Sequence, residues 1–221
     1  MLLAVDTSTA QVGLAIYDGS QVISEYAWRS SQRHTVELAP AIAELLRRCG
    51  LTMEDIRGLG VALGPGSFTS LRVGLSLVKG LALARGLPLV GVPTLDILAA
   101  AQPASKLPLV ALIQAGRGRL AAGWYKNSKK GWRSQGPARV MTFASLIEEI
   151  KKPTIVCGEL TSAEYHELEG KPDFHLASPA RSVRRPAILA ELAWESALAG
   201  NVNDPATLAP IYLHVAEPVS A

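Results

Sequence analysis

Gly64-Pro65-Gly66-Ser67-Phe68-Thr69-Ser70-Leu71-Arg72-Val73-Gly74 decides how this chain is read. An apolar, strand-like run at 58–63 precedes it and a helix-like run at 70–85 follows. Two glycines and a proline force a turn, and Ser67 or Thr69 can cap the helix. A strand, a glycine-rich turn and a helix N-terminus place backbone N–H groups where an anion or another backbone can approach. Many such junctions bind nothing, so spacing alone makes this an anion-site candidate and no more.

Outward from that turn the same order of elements occurs twice. Strands are expected at 2–6, 12–17 and 21–27, with Asp18-Gly19 as a hairpin turn. A helix at 35–49, the strand–turn–helix unit, a strand at 88–92 and a helix at 94–101 follow. Gln102-Pro103-Ala104-Ser105 reads as a linker. The second half gives strands at 109–114, 119–126 and 131–135, with Lys129-Lys130-Gly131 as a turn. A helix at 143–151, a strand at 154–157, a helix at 162–168, a strand at 174–176 and a helix at 187–199 complete it. Two βββαβαβα runs predict an α/β fold of duplicated lobes, 1–103 and 104–221, with a cleft between the copies. The tail of the chain has the option of packing back on the first lobe.

With 221 residues, 48% hydrophobic and 19% charged, the chain has the makings of a packed globule rather than a disordered segment. Arg72, Lys79 and Arg85 interrupt the longest apolar run before it reaches the roughly eighteen residues of a membrane span. Met1-Leu2-Leu3-Ala4-Val5-Asp6 has no basic n-region and reads as a strand, not a secretion signal. Cys49 and Cys157 are too few for a disulfide framework and suit a reduced, cytoplasmic protein.

Net charge is only +3, but it is unevenly spread. No Asp or Glu occurs from Ile97 to Ile147, while Lys106, Arg117, Arg119, Lys126, Lys129, Lys130, Arg133 and Arg139 all do. Such a run attracts polyanions such as RNA, or it is a solvated face balanced by acids folded nearby; both readings stand. Trp124, Tyr125 and Trp132 are too sparse to make a stacking platform for single strands.

In the 35–49 helix, Leu38, Ile42, Leu45, Leu46 and Cys49 form one apolar stripe of the kind that packs on a sheet. The 70–85 helix is apolar around most of its circumference, with Ser70/Gly74 and Ser76/Gly80 as small surfaces for a neighbouring helix. It needs two things to pack against: its own sheet, and a second helix of this chain or of a partner.

Candidate chemistry is thin. Asp6 at a strand end, followed by Thr7, Ser8 and Thr9, suits a hydrated metal or a phosphate, and suits a self-satisfied polar turn better. His34, His166, His175 and His214 show no i, i+4 pair and no cysteine at zinc spacing, so no metal site is expected. His34 reads as a capping or packing residue. There is no phosphate-loop lysine, dinucleotide fingerprint or nucleophile elbow, and no residue is nominated as catalytic.

Asp6-Thr7-Ser8, Arg33-His34-Thr35-Val36-Glu37-Leu38, the 64–69 turn, Leu71-Arg72-Val73-Gly74 and Lys79-Gly80 together resemble the bacterial TsaB (YeaZ) family. Pro210-Ile211-Tyr212-Leu213 looks like its C-terminal segment. The resemblance implies the actin/Hsp70-like ATPase (ASKHA) fold and a role in making N6-threonylcarbamoyladenosine in tRNA. It implies a non-catalytic scaffold or activating subunit for TsaD, reaching TsaE through the assembly and tRNA indirectly. A homodimer is expected when the chain is alone, with no membrane involvement. No cofactor is required by this chain, with ATP or ADP and Mg2+ held at the complex.

TsaD-like proteins hold a metal through a His-x-x-x-His helix; here Thr94 and Leu98 take those positions, so that site is not expected. The nucleotide-binding candidates are Asp6, Thr7, Ser8, Gly64, Gly66, Ser67 and Thr69, and the interface candidates on the two helices are Leu38, Ile42, Leu71, Gly74, Leu75 and Val78. The alternative is a weak magnesium-dependent ATP hydrolase built on the former set. A peptidase, a label such relatives have carried, lacks both metal ligands and a nucleophile–base pair. Three positions depart from the family pattern and weaken nucleotide binding. Gln114-Ala115-Gly116-Arg117 stands for an Asp followed by two arginines, Gly158-Glu159-Leu160 for a Gly-Asp-Gly-like turn, and His214 for an arginine.

Overall fold

The computed structural model describes residues 1–31 and 33–213. It divides into two compact units, Met1–Ile97 with Arg184–Ile211, and a second centred on Leu98–Val183. His214 lies outside the described residues.

The first unit runs β1 (Leu2–Asp6), β2 (Gln11–Tyr17), β3 (Val22–Arg29), α1 (His34–Arg48), β4 (Gly58–Ala62), α2 (Phe68–Arg85) and β5 (Leu89–Val92), leading into α3 (Thr94–Ala100). Sheet order is β3-β2-β1-β4-β5. The first three strands are antiparallel, whereas β1, β4 and β5 are parallel. Every position of β1 is buried, as a strand covered on both faces requires. Leu3 and Val5 join the core with Leu38, Ile42 and Leu45 of α1 and Leu75 and Val78 of α2.

Leu2 and Ala4 belong to the opposite layer, with Leu189, Ala190 and Ala193. Those three lie on α6 (Pro186–Leu198), which therefore packs on the first sheet although it is the last helix among the described residues. The lobe boundary expected at 103/104 thus differs from the structural division. Small residues let this helix approach: a Cβ on Gly60 would lie 2.8 Å from Ala193 Cβ, and one on Gly13 would touch the Pro186 ring.

The second unit holds β6 (Leu109–Gln114), β7 (Arg119–Ser128), β8 (Gly131–Ser134), β9 (Arg139–Thr142), α4 (Phe143–Glu149), β10 (Thr154–Gly158), α5 (Ser162–Leu168) and β11 (Phe174–Leu176). Its order, β11-β10-β6-β7-β8, repeats the plan of the first sheet. The long β7 pairs with β8 through its C-terminal half and with β9 through its N-terminal half. The β9 strand adds to the expected set: Arg-Val-Met-Thr is too short to show an alternating pattern. Leu146 and Leu168 bury against Val110, Leu112 and Val156. Both cysteines are free, and burial pushes the Cys157 thiol up to about 12. Among the described residues no helix is long and apolar enough to cross a membrane.

Candidate functional site

Because β1 and β4 are parallel neighbours, the loops after them leave the same end of the first sheet and meet. Ser67 N–H donates to Ser8 O at 2.7 Å. Gly64 N–H donates to Thr94 Oγ1 at 2.9 Å, and that hydroxyl lies 2.7 Å from Ser8 Oγ. Thr7 Oγ1 donates to Ser70 O at 2.8 Å, tying the strand end to the first turn of α2. Ser67 caps that helix, which begins at Phe68, two residues before the expected start. Gly64 holds φ +108, a conformation suited to glycine. A Cβ on Gly66 would overlap the Ser8 carbonyl oxygen, and one on Gly74 would overlap Thr7 Oγ1.

Asp6 lies beneath these contacts, and its partner is a residue the sequence does not point to. Arg184 Nε donates to Asp6 Oδ2 at 2.8 Å, and a terminal nitrogen donates to Thr9 Oγ1 at 2.8 Å and Gln11 O at 3.0 Å. Asp6 Oδ1 accepts Ser8 N–H at 2.8 Å. The two side chains are 1% and 3% exposed, so each charge depends on the other for compensation.

Six of the seven nucleotide candidates, Asp6, Thr7, Ser8, Gly64, Gly66 and Ser67, do converge, and they satisfy one another. Thr69 stands apart, exposed on α2. Magnesium bound through one or two carboxylates keeps several waters. Asp6 instead presents one oxygen to Arg184 and the other to Ser8, in a buried position. The donors of Gly64 and Ser67 go to Thr94 and Ser8. These residues do not fit a magnesium-bound nucleotide at Asp6; their geometry is that of a brace between β1, the turn and α2. Leu98 is buried and apolar, and His34 Nε2–H donates to Thr9 O at 3.1 Å as a packing residue. Among the described residues no three His, Cys, Asp or Glu side chains gather as a metal site would require.

The interface candidates need correction. Leu38, Ile42, Leu71, Gly74, Leu75 and Val78 are all buried, because they form the sheet-facing sides of α1 and α2. What these helices leave outside is Val36 at 58% exposure, Phe68 at 52% and Leu83 at 64%. A groove beside the start of α1 and α2 is lined by Thr35, Phe68, Thr69, Arg72, Val73 and Ser76. The Arg72 guanidinium lies 3.7 Å from the Phe68 ring centroid.

In the second unit, two departures from the family pattern meet. Gln114 Nε2 donates to Glu159 O and to Glu164 Oε2, both at 3.1 Å, and Gln114 N–H donates to Glu159 Oε2 at 3.3 Å. An aspartate at 114 would set its carboxylate against that of Glu164, whereas the glutamine amide donates to it.

A family model described as TsaD, tRNA N6-adenosine threonylcarbamoyltransferase, matches residues 23–194. The chain is 31% identical to the tRNA threonylcarbamoyladenosine biosynthesis protein TsaB of Bacillus subtilis, over 98% of this chain and 95% of that protein. YeaZ from Pseudomonas aeruginosa superposes with a TM-score of 0.78 at 25% identity, covering 96% of this chain and 99% of that one. The ethanolamine utilization protein EutJ from Carboxydothermus hydrogenoformans superposes at 0.52 with 16% identity, covering 86% and 88%, and shares the fold alone. The duplicated sheets are those of the actin/Hsp70-like ATPase fold.

Proposed function

Because the chain belongs to the TsaB family of tRNA threonylcarbamoyladenosine biosynthesis proteins, we propose that it serves as a non-catalytic subunit that docks on TsaD through the outer surface of α1 and α2. One observation carries this reading: Val36 and Phe68 are more than half exposed at the starts of two helices that pack side by side, next to a groove that Phe68 itself lines. Isolated exposed leucines are ordinary, but apolar residues beside a groove on two adjacent helices form the kind of surface a partner helix fills. Arg72 supplies a rim charge next to this patch. Without TsaD the same surface pairs two copies, giving a symmetric dimer. ATP or ADP with Mg2+ belongs to the assembled complex, TsaE joins through it, and the setting is cytoplasmic.

Val36→Asp combined with Phe68→Asp tests the docking surface. Both positions are exposed, so the melting temperature should hold while capture of purified TsaD falls at least about tenfold, as expected when an apolar anchor is removed. Capture equal to that of the parent would refute this surface.

A further inference from the structure

The β7–β8 hairpin concentrates positive charge without neutralising it. Lys126 stands directly opposite Arg133, while Lys129 and Lys130 occupy the turn. All four are exposed, and none forms an ion pair among the described residues. Directly opposed residues of antiparallel strands share a face, about 4.5–5.5 Å apart at Cβ, and like charges there oppose hairpin formation. Several other cations are paired: Arg47 and Arg48 with Glu44, Arg139 with Glu149, the half-buried Lys171 with Glu167, and Arg185 with Glu25. The turn is also held in shape. Ser128 Oγ donates to Gly131 O at 2.8 Å and accepts Lys130 N–H at 3.2 Å.

Strand direction brings more charge to the same edge. β6 and β10 run parallel with Leu109 beside Ile155, and β7 runs antiparallel with Tyr125 opposite Leu109. Lys106 therefore leads into β6, and Lys151 and Lys152 into β10, at the edge where β7 leaves for the hairpin; all three lysines are exposed. From β10 to β8 this edge spans three strand spacings, about 14 Å. The acids near this edge in sequence are Glu148 and Glu149 at the end of α4, the latter paired with Arg139, and Asp173 before β11, on the far side of β10 from the hairpin.

We propose that this edge of the second sheet, centred on the β7–β8 hairpin, contacts the phosphate backbone of RNA. An open row of exposed cations complements a repeating line of negative charge, and it lacks the enclosed donors that would select one small anion. An anionic membrane is the poorer match, because surface-binding segments add exposed apolar anchors to their charge. Here Trp132 is half-buried with its indole N–H donating to Gln102 O at 3.1 Å, and Trp124 lies under Arg139. Only the choice of tRNA as the RNA rests on the proposed function.

Filter retention of bulk tRNA by the full chain at several salt concentrations tests the proposal. K126E/R133E should bind roughly tenfold more weakly, and its log–log salt slope should be smaller by about two, one for each phosphate no longer neutralised. The turn variant K129A/K130A should move in the same direction, giving a second reading should the first variant fold poorly. R29E/R57E makes the same change in net charge at exposed positions of the first unit and should bind like the parent. Parental retention by both hairpin variants would overturn the proposal. So would equal losses in hairpin and control variants, or retention of the parent by phosphatidylserine vesicles but not by tRNA. Measuring in parallel whether threonylcarbamoyl transfer needs the chain separates the two ideas. Dependence together with unchanged retention refutes the hairpin alone, whereas dispensability refutes the proposed function.

Discussion

Arg184→Met should cost the first unit about 3–5 kcal/mol, the range found when one partner of a buried ion pair is removed. The loss follows from the burial of Asp6, which keeps the Ser8 N–H but no longer faces a cation. Thr9 Oγ1 and Gln11 O lose their guanidinium donor as well. Asp6→Leu should be similarly harmful, because it strands the arginine. The double variant Asp6→Leu/Arg184→Met should recover much of the loss, since a buried pair replaced by apolar groups is often close to neutral. Urea unfolding of the four proteins measures this as a coupling free energy. A single variant within about 1 kcal/mol of the parent would show that the pair is not a brace.

Gly74→Ala should destabilise by about 2–4 kcal/mol, combining overpacking with loss of the buried Thr7–Ser70 hydrogen bond. Its Cβ would occupy the place of Thr7 Oγ1, and Thr7 is short, buried and held at the strand end. Adding Thr7→Ala should return part of the loss by making room. Gly80, further along α2, provides the contrast: nothing lies within 4 Å of the position its methyl group would take, so Gly80→Ala should stabilise by about 0.5–1 kcal/mol. Thermal unfolding that placed both glycine variants on the same side of the parent would contradict this assignment. Gly74 therefore tests folding at the β1–α2 junction, and the apolar exposed residues test association.

Particular residues show why some features are legible in the sequence and others are not. Alternation and turn chemistry locate the Asp18-Gly19 hairpin and the Gly64–Ser67 turn, because those signals are local. The duplicated order is equally readable, since each half carries its own punctuation. An apolar stripe, however, does not say what covers it. Leu38, Ile42 and Val78 look alike whether they face a sheet or a partner, and only assembly of β1, β2 and β4 shows that they are core. Arg184 is hidden for a related reason: it lies 178 residues from Asp6, and nothing around it distinguishes it from the exposed Arg185. Placement of α6 on the first sheet is likewise long-range, settled by small side chains on both sides of the contact.

The central claim is that this chain contributes to tRNA modification through its surface rather than through chemistry of its own. Reconstituted threonylcarbamoyl transfer to tRNA, assayed with the chain alone, with the remaining purified components alone and with all together, tests it most directly. Product is expected only, or far faster, when all are present, and none from the chain by itself. Modified tRNA from the chain unaided, or full activity in its absence, would contradict the claim.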